Sequence, residues 1–333
     1  ELVEFFGQYG PTGGLMGMGL TFVLWAALFA LSFEFARVFK AYDYRTFFEK
    51  LIGPGWIIYE IAFIVLLCLI MGVVGAASGS ILRDSFGLPP IVGSAIFLVF
   101  VAYLTYSGSK TIEVALSWWS YMLYAVFAVF LYLGFTHFGD AISANFAADT
   151  VKPGWQMGGF KYAFYNIAVT STVLFSLNYL ESRKEAIISG IMAAFISILP
   201  GVFFYVVMVG FYPDVLSMEI PSNGIIAQLG VKYLLPVWLI VLFGTMIETG
   251  VGFFHSINER INSTLIQKRG VGMSNLARGA VGAFLALMGL LISNFGLIGL
   301  IAQGYGTISW VFFILQGVGM FTIGLYKLAK AGK

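Results

Sequence analysis

The chain has 333 residues, of which 59% are hydrophobic and 10% charged, at a mean hydropathy of +0.92. A soluble domain carries about 25% charged residues, so this chain has too few to cover a water-exposed surface. The near balance of 18 basic and 16 acidic residues excludes a nucleic-acid-binding protein, and the single Cys68 excludes a disulfide framework and a multi-cysteine zinc site. What remains is an all-α polytopic membrane protein. Its apolar runs exceed the roughly 18 residues that mark a spanning helix, and they do not alternate with period two.

Along the chain, Glu1–Tyr9 is apolar but too short to cross, and Gly10-Pro11 ends it. The chain starts without Met and without a signal-peptide pattern. The stump is therefore expected to be the second half of a first span whose first half is missing. Nine full spans follow, at Gly13–Phe39, Trp56–Leu82, Ile91–Tyr106, Ile112–Phe138, Gly159–Leu180, Ala186–Phe211, Leu234–Ile257, Leu276–Ile292 and Thr307–Leu328. Amphipathic connectors are expected at Tyr44–Ile52 and Val215–Leu229. With the stump as span 1, alternating sides puts Arg83, Lys152, Lys161 and Lys232 on one face of the bilayer and the other fourteen of the 18 basic residues on the opposite face. Basic residues concentrate in cytoplasmic loops, so the expectation is a plasma-membrane protein with a cytoplasmic C-terminus.

The spans repeat. Span 2 precedes span 7 by about 173 residues, span 3 precedes span 8 by about 178, span 4 precedes span 9 by about 185, and span 5 precedes span 10 by about 195. Partners five spans apart face opposite ways, the inverted repeat of secondary transporters, whose site lies at the midplane beside interrupted helices. The expected organisation is thus a 5+5 arrangement of ten spans. Residues 1–138 form the first repeat and 139–158 an extracellular connector. Residues 159–328 form the second repeat and 329–333 a cytoplasmic tail.

Spans 1 and 6 occupy the matching positions where interruptions belong. Span 6 carries Tyr165-Asn166 and the hydroxyl run Thr170-Ser171-Thr172 at mid-bilayer depth. Such side chains compete for backbone hydrogen bonds, so Tyr165, Asn166, Thr170 and Ser171 are expected either to line a substrate site or to back-bond within a continuous helix. Glu248 is the only charge in Trp238–Phe254. An acidic residue inside a span faces a cavity or a partner, which makes Glu248 a candidate for proton coupling or for recognition of a substrate amine, with a packing carboxyl as the alternative. In span 3, Gly72, Gly75 and Gly79 suit close helix packing, while Met71 and Gly75 are the candidates for a wall beside substrate. The 40 glycines in all imply close packing, or breaks that line a cavity.

The opening Glu1-Leu-Val-Glu-Phe-Phe6-Gly-Gln-Tyr9-Gly10, the Tyr165-Asn166-Ile167 of span 6 and the Thr249-Gly250-Val251-Gly252 of span 8, taken in order, resemble the YkvI family of amino-acid permeases. That family is part of the amino acid–polyamine–organocation superfamily, with the LeuT-type 5+5 inverted-repeat fold. The resemblance implies discontinuous helices 1 and 6 and alternating access. It carries Glu1 into the substrate site, at the start of the second half of helix 1, and makes Thr249 a candidate Na+ ligand. The lysine that replaces the ion in span 5 of some proton-coupled relatives is absent, since that span offers only Ser117, Ser120, Tyr121 and Tyr124. Na+ and H+ both stay open as coupling ions.

The function expected is a secondary active symporter of a small amino acid or a related zwitterion or amine. The alternative is a ligand-sensing, permease-like receptor subunit without net transport. No catalytic constellation such as HExxH or GxSxG is present, so an enzyme is not expected. Nor is a cofactor beyond the coupling ion, a nucleic acid, or an obligate protein partner; the partners expected are the small substrate and the lipid bilayer.

Overall fold

The structure, a computed structural model, describes residues 1–107, 110–148, 151–231 and 233–331. Lys232 and Lys333 of the basic tally lie outside the described residues, as do the side chains of Lys110, Ser117 and Lys268. Every regular element among the described residues is helical. In chain order they are α1 (Leu2–Phe5), α2 (Pro11–Phe39), α3 (Tyr44–Ile52), α4 (Trp56–Phe86), α5 (Pro90–Ser107), α6 (Lys110–Ala147), α7 (Trp155–Asn166) and α8 (Thr170–Val173). There follow α9 (Arg183–Val209), α10 (Pro221–Gln228), α11 (Leu234–Arg269), α12 (Asn275–Ser293), α13 (Leu297–Gly299), α14 (Gly306–Phe312) and α15 (Leu325–Ala331).

Among the described residues, seven stretches are long and apolar enough to cross a membrane: Pro11–Phe39, Tyr44–Phe86, Trp118–Ala147, Arg183–Val209, Leu234–Ile266, Asn275–Ser293 and Leu297–Ala331. Pro90–Tyr106 is a shorter apolar helix. Two of the nine full spans read from the sequence fall outside this set: Ile91–Tyr106, which is this shorter helix, and span 6, which is not one helix but α7 and α8 alternating with two 3-10 segments, Ile167–Val169 and Leu174–Tyr179. The last span is also irregular. It winds as a π-helix over Leu300–Tyr305, Phe313–Val318 and Met320–Gly324.

The chain forms two compact units. The first comprises Glu1–Phe63, Phe138–Ser217 and Ile301–Lys333. Its spine is α2, which packs along both α9 and α7. Small residues permit this. A side chain at Gly190 of α9 would meet the backbone of Phe29 and Ala30, and one at Gly159 of α7 would meet the backbone of Gly17. At that close approach two side chains of α2 donate to carbonyls of α7: Thr21 Oγ1 to Gly159 O at 3.0 Å and Trp25 Nε1 to Ala163 O at 2.9 Å. Both steps advance by four residues, so the two helices run parallel. Tyr205 of α9 donates to Gly10 O at 3.0 Å and so anchors the start of α2.

The helix ends of this unit follow local chemistry. Asp43 caps α3 by accepting from the Thr46 N–H, and Ser182 with Glu185 forms a capping box on α9. Near the end of α2, Arg37 grips Glu34 with two hydrogen bonds of 2.8 Å, and its third nitrogen donates to Glu181 O at 3.2 Å. The ion pair read from the i,i+3 spacing is therefore bidentate, the stronger form of such a contact. Glu60 accepts from Tyr44 Oη at 3.0 Å.

The second unit comprises Ile64–His137 and Met218–Leu300. Its core joins Met71, Phe97, Leu98, Val101, Met246, Phe254 and Leu285, with α5 packed on both α12 and α11. The glycines of span 3 each admit a neighbour. Gly72 faces Ile292, Gly75 faces Leu98 and Gly79 faces the Pro90 carbonyl. Gly250 of α11 likewise faces Val101 and Met71.

Filling the α2–α7 seam forces the helices apart, and overpacking of this kind costs about 1–3 kcal/mol. Gly159→Val is expected to lower the thermal unfolding midpoint of the detergent-purified protein by several degrees. Gly201→Ala in α9, where an added methyl meets nothing within 4 Å, is expected to leave the midpoint unchanged or raise it. Equal midpoints for the two variants would show that the seam does not limit stability.

Candidate functional site

The helix that begins at Trp155 loses its α pitch just after Asn166, and the cause is local. Asn166 Nδ2 donates to Tyr162 O at 3.0 Å. Beyond it, three hydroxyls take the carbonyl three residues back: Thr170 to Ile167 at 2.7 Å, Thr172 to Val169 at 2.8 Å, and Ser176 to Val173 at 2.7 Å. These bonds compete with the i→i−4 ladder and favour the tighter winding. Asn166 (φ −78°, ψ −22°), Ile167 (φ −60°, ψ −25°) and Thr170 (φ −50°, ψ −35°) all stay in the right-handed helical region. The interruption anticipated in span 6 is thus a change of pitch, not an unwound loop. Thr170 thus back-bonds within its own segment, while the segment departs from a continuous α-helix.

At this change of pitch the first unit gathers several of the candidates. Tyr165 Oη donates to a carboxylate oxygen of Glu1 at 2.6 Å. The Tyr165 ring stacks on Tyr305 with centroids 4.4 Å apart and planes 10° from parallel. Tyr162 meets it edge-on at 5.5 Å, and Phe5 lies at 5.6 Å. Tyr165 and Tyr305 are buried. One turn further, Ser171 Oγ shares a hydrogen bond with Tyr59 Oη, which also approaches Ala168 O at 3.5 Å. Tyr59 is fully buried against Phe312, with rings 5.6 Å apart.

The remaining candidates belong to the second unit. Glu248 Oε1 accepts from Ser120 Oγ at 3.4 Å. Thr249 Oγ1 donates to Thr245 O at 2.9 Å. That bond commits the hydroxyl proton and leaves both lone pairs of the hydroxyl oxygen. Met71 is 2% exposed within the apolar core, and Gly75 O accepts from both Ser78 and Ser94.

Two residues beside the first group, Tyr59 and Lys161, escaped the sequence reading as site residues. Tyr305 is readable as a ring that could cap a pocket, but with 17 tyrosines present nothing local lifts it or Tyr59 above the aromatic background. Lys161 carried a signal that was absorbed elsewhere, because the charge tally treated it as a loop residue although it falls inside span 6.

No family model and no curated protein matches the sequence. Among solved structures the chain is similar to the crystal structure of MhsT in complex with L-phenylalanine, at a TM-score of 0.53 and 18% identity. The likeness covers 92% of this chain and 80% of that one. With this likeness and its run of membrane-length helices, the chain is a multi-pass helical membrane protein of the LeuT-type fold.

Proposed function

We propose that the protein is a secondary active transporter of a small amino acid or related zwitterion, a symporter driven by H+ or Na+ that works by alternating access. The observation that carries this reading is the fold shared over 92% of the chain with a structure that holds L-phenylalanine. Fold alone does not decide function, so the site matters too. A buried tyrosine, a carboxylate and an aromatic stack meet where span 6 changes pitch, which is the place an inverted repeat reserves for substrate.

Four of the five expected pairs keep both partners in one contact unit: spans 1, 2, 6 and 7 fall in the first and most of spans 3, 4, 8 and 9 in the second, whereas span 5 lies in the second and span 10 in the first. In this reading Tyr165, Asn166, Thr170, Ser171 and Glu1 contact substrate. Glu248 and Thr249 serve the coupling ion; when sodium is bound, Thr249 supplies a hydroxyl oxygen. The chain resides in the plasma membrane, with its C-terminus in the cytoplasm.

In proteoliposomes of the purified protein preloaded with a mixture of amino acids, external labelled amino acid is expected to accumulate by counterflow. Saturable binding without counterflow would instead identify a ligand sensor. Under a proton gradient, Glu248→Gln is expected to lose the stimulation of uptake and to reduce uptake about tenfold, as loss of one charge-assisted partner predicts. Unchanged stimulation in that variant would remove Glu248 from ion coupling.

A further inference from the structure

We infer that Lys161 is the carboxylate-recognising residue of the substrate site, so that the substrate is a zwitterion with a free carboxylate and not a simple amine. The inference rests on the transporter reading and specifies the chemistry of its site. Lys161 lies one turn before Tyr165 on α7, and residues four apart share a helix face. The Lys161 side chain has no hydrogen-bond or ion-pair partner among the described residues. An ammonium within a membrane helix is costly to leave unpaired and marks a substrate or ion pathway.

A lysine near a helix end can stretch toward the interface; here the neighbour of the ammonium is the start of α14. Lys161 Nζ lies 3.8 Å from the point where a Cβ on Gly306 would sit. Gly306 is buried and adjoins Tyr305, the ring stacked on Tyr165. Apart from the glycine's chain neighbours and its own helix, no other atom of the described residues comes within 4 Å of that point. The ammonium therefore borders open space beside a buried backbone, and the missing side chain at position 306 keeps that space free.

Glu1 supplies the opposite charge to the same aromatic group through its bond to Tyr165, yet it forms no ion pair with Lys161. Two unlike charges held apart beside one aromatic stack match the two poles of an amino acid. The three N–H donors of Lys161 meet the carboxylate, the Glu1 carboxylate meets the ammonium, and the substrate's side chain lies against the Tyr165 and Tyr305 rings.

The test measures binding to detergent-purified protein by thermal shift and by displacement. The probes are the twenty standard amino acids, each beside its decarboxylated amine; L-phenylalanine with phenethylamine is one such pair. Wild-type protein is expected to bind at least one amino acid about tenfold more tightly than its amine. Lys161→Met should abolish that preference by weakening the acid alone, Lys161→Arg should retain it, and Gly306→Val, which fills the space but keeps the charge, should weaken the acid. An amine that binds wild type as tightly as its acid, or equal weakening of both by Lys161→Met when Lys161→Arg is normal, overturns the inference and leaves the transporter reading intact. If the wild type binds neither class and shows no counterflow with either, the transporter reading fails and the inference falls with it. Should Lys161→Met not yield folded protein, the Arg and Val variants decide alone: loss of the preference in Arg, or its survival in Val, overturns the assignment.

Discussion

The hydrogen bonds from Thr21 and Trp25 to the carbonyls of Gly159 and Ala163 are the contact on which the first unit is organised. They require two parallel helices at backbone contact, and that approach exists only because Gly159 presents no side chain to the Gly17 backbone. A side chain at Gly159 would push the carbonyls out of reach. Trp25 thereby fixes the last regular turn of α7, and Tyr165, two residues past Ala163, takes its position from a helix that cannot rotate. The aromatic stack and the carboxylate beside it follow from that restraint.

The change of pitch beyond Asn166 is the complementary feature. Where α2 packs against α7, the following segment is wound by its own hydroxyls, each taking a carbonyl that a regular helix would have paired with the N–H of the next residue. Backbone groups in a bilayer must be satisfied internally, and this arrangement satisfies them without a regular ladder. A rigid half and a locally wound half thus meet at the residues assigned to substrate.

Much of the fold was legible in the sequence, because span length and glycine spacing are local signals. The α3 connector has the limits its amphipathic pattern implies, and Gly72, Gly75 and Gly79 each meet a neighbouring helix as small residues at that spacing should. The Glu34–Arg37 pair also follows from spacing alone. Less was legible where the outcome depends on distant partners. The hydroxyl run announced competition for the backbone but not its form, which could be an unwound loop or a tightened helix. The pairing of Tyr59 with Ser171 and the stacking of Tyr165 on Tyr305 join residues more than a hundred positions apart, and no local pattern encodes them. Nothing in the composition of the last span signals its π-helical turns.

The grip of Arg37 on both Glu34 and the Glu181 carbonyl bears on how force passes through the first unit. Glu181 follows the last 3-10 turn of span 6, so a single guanidinium fastens the trailing end of the wound segment to the trailing end of α2. The leading end of the same segment is fastened to α2 through Trp25. A segment tethered to one strut at both ends can twist or change its winding between the tethers, but it cannot swing away from the strut. Rearrangement of Asn166–Leu180 is therefore torsional, like a wire turned between two clamps.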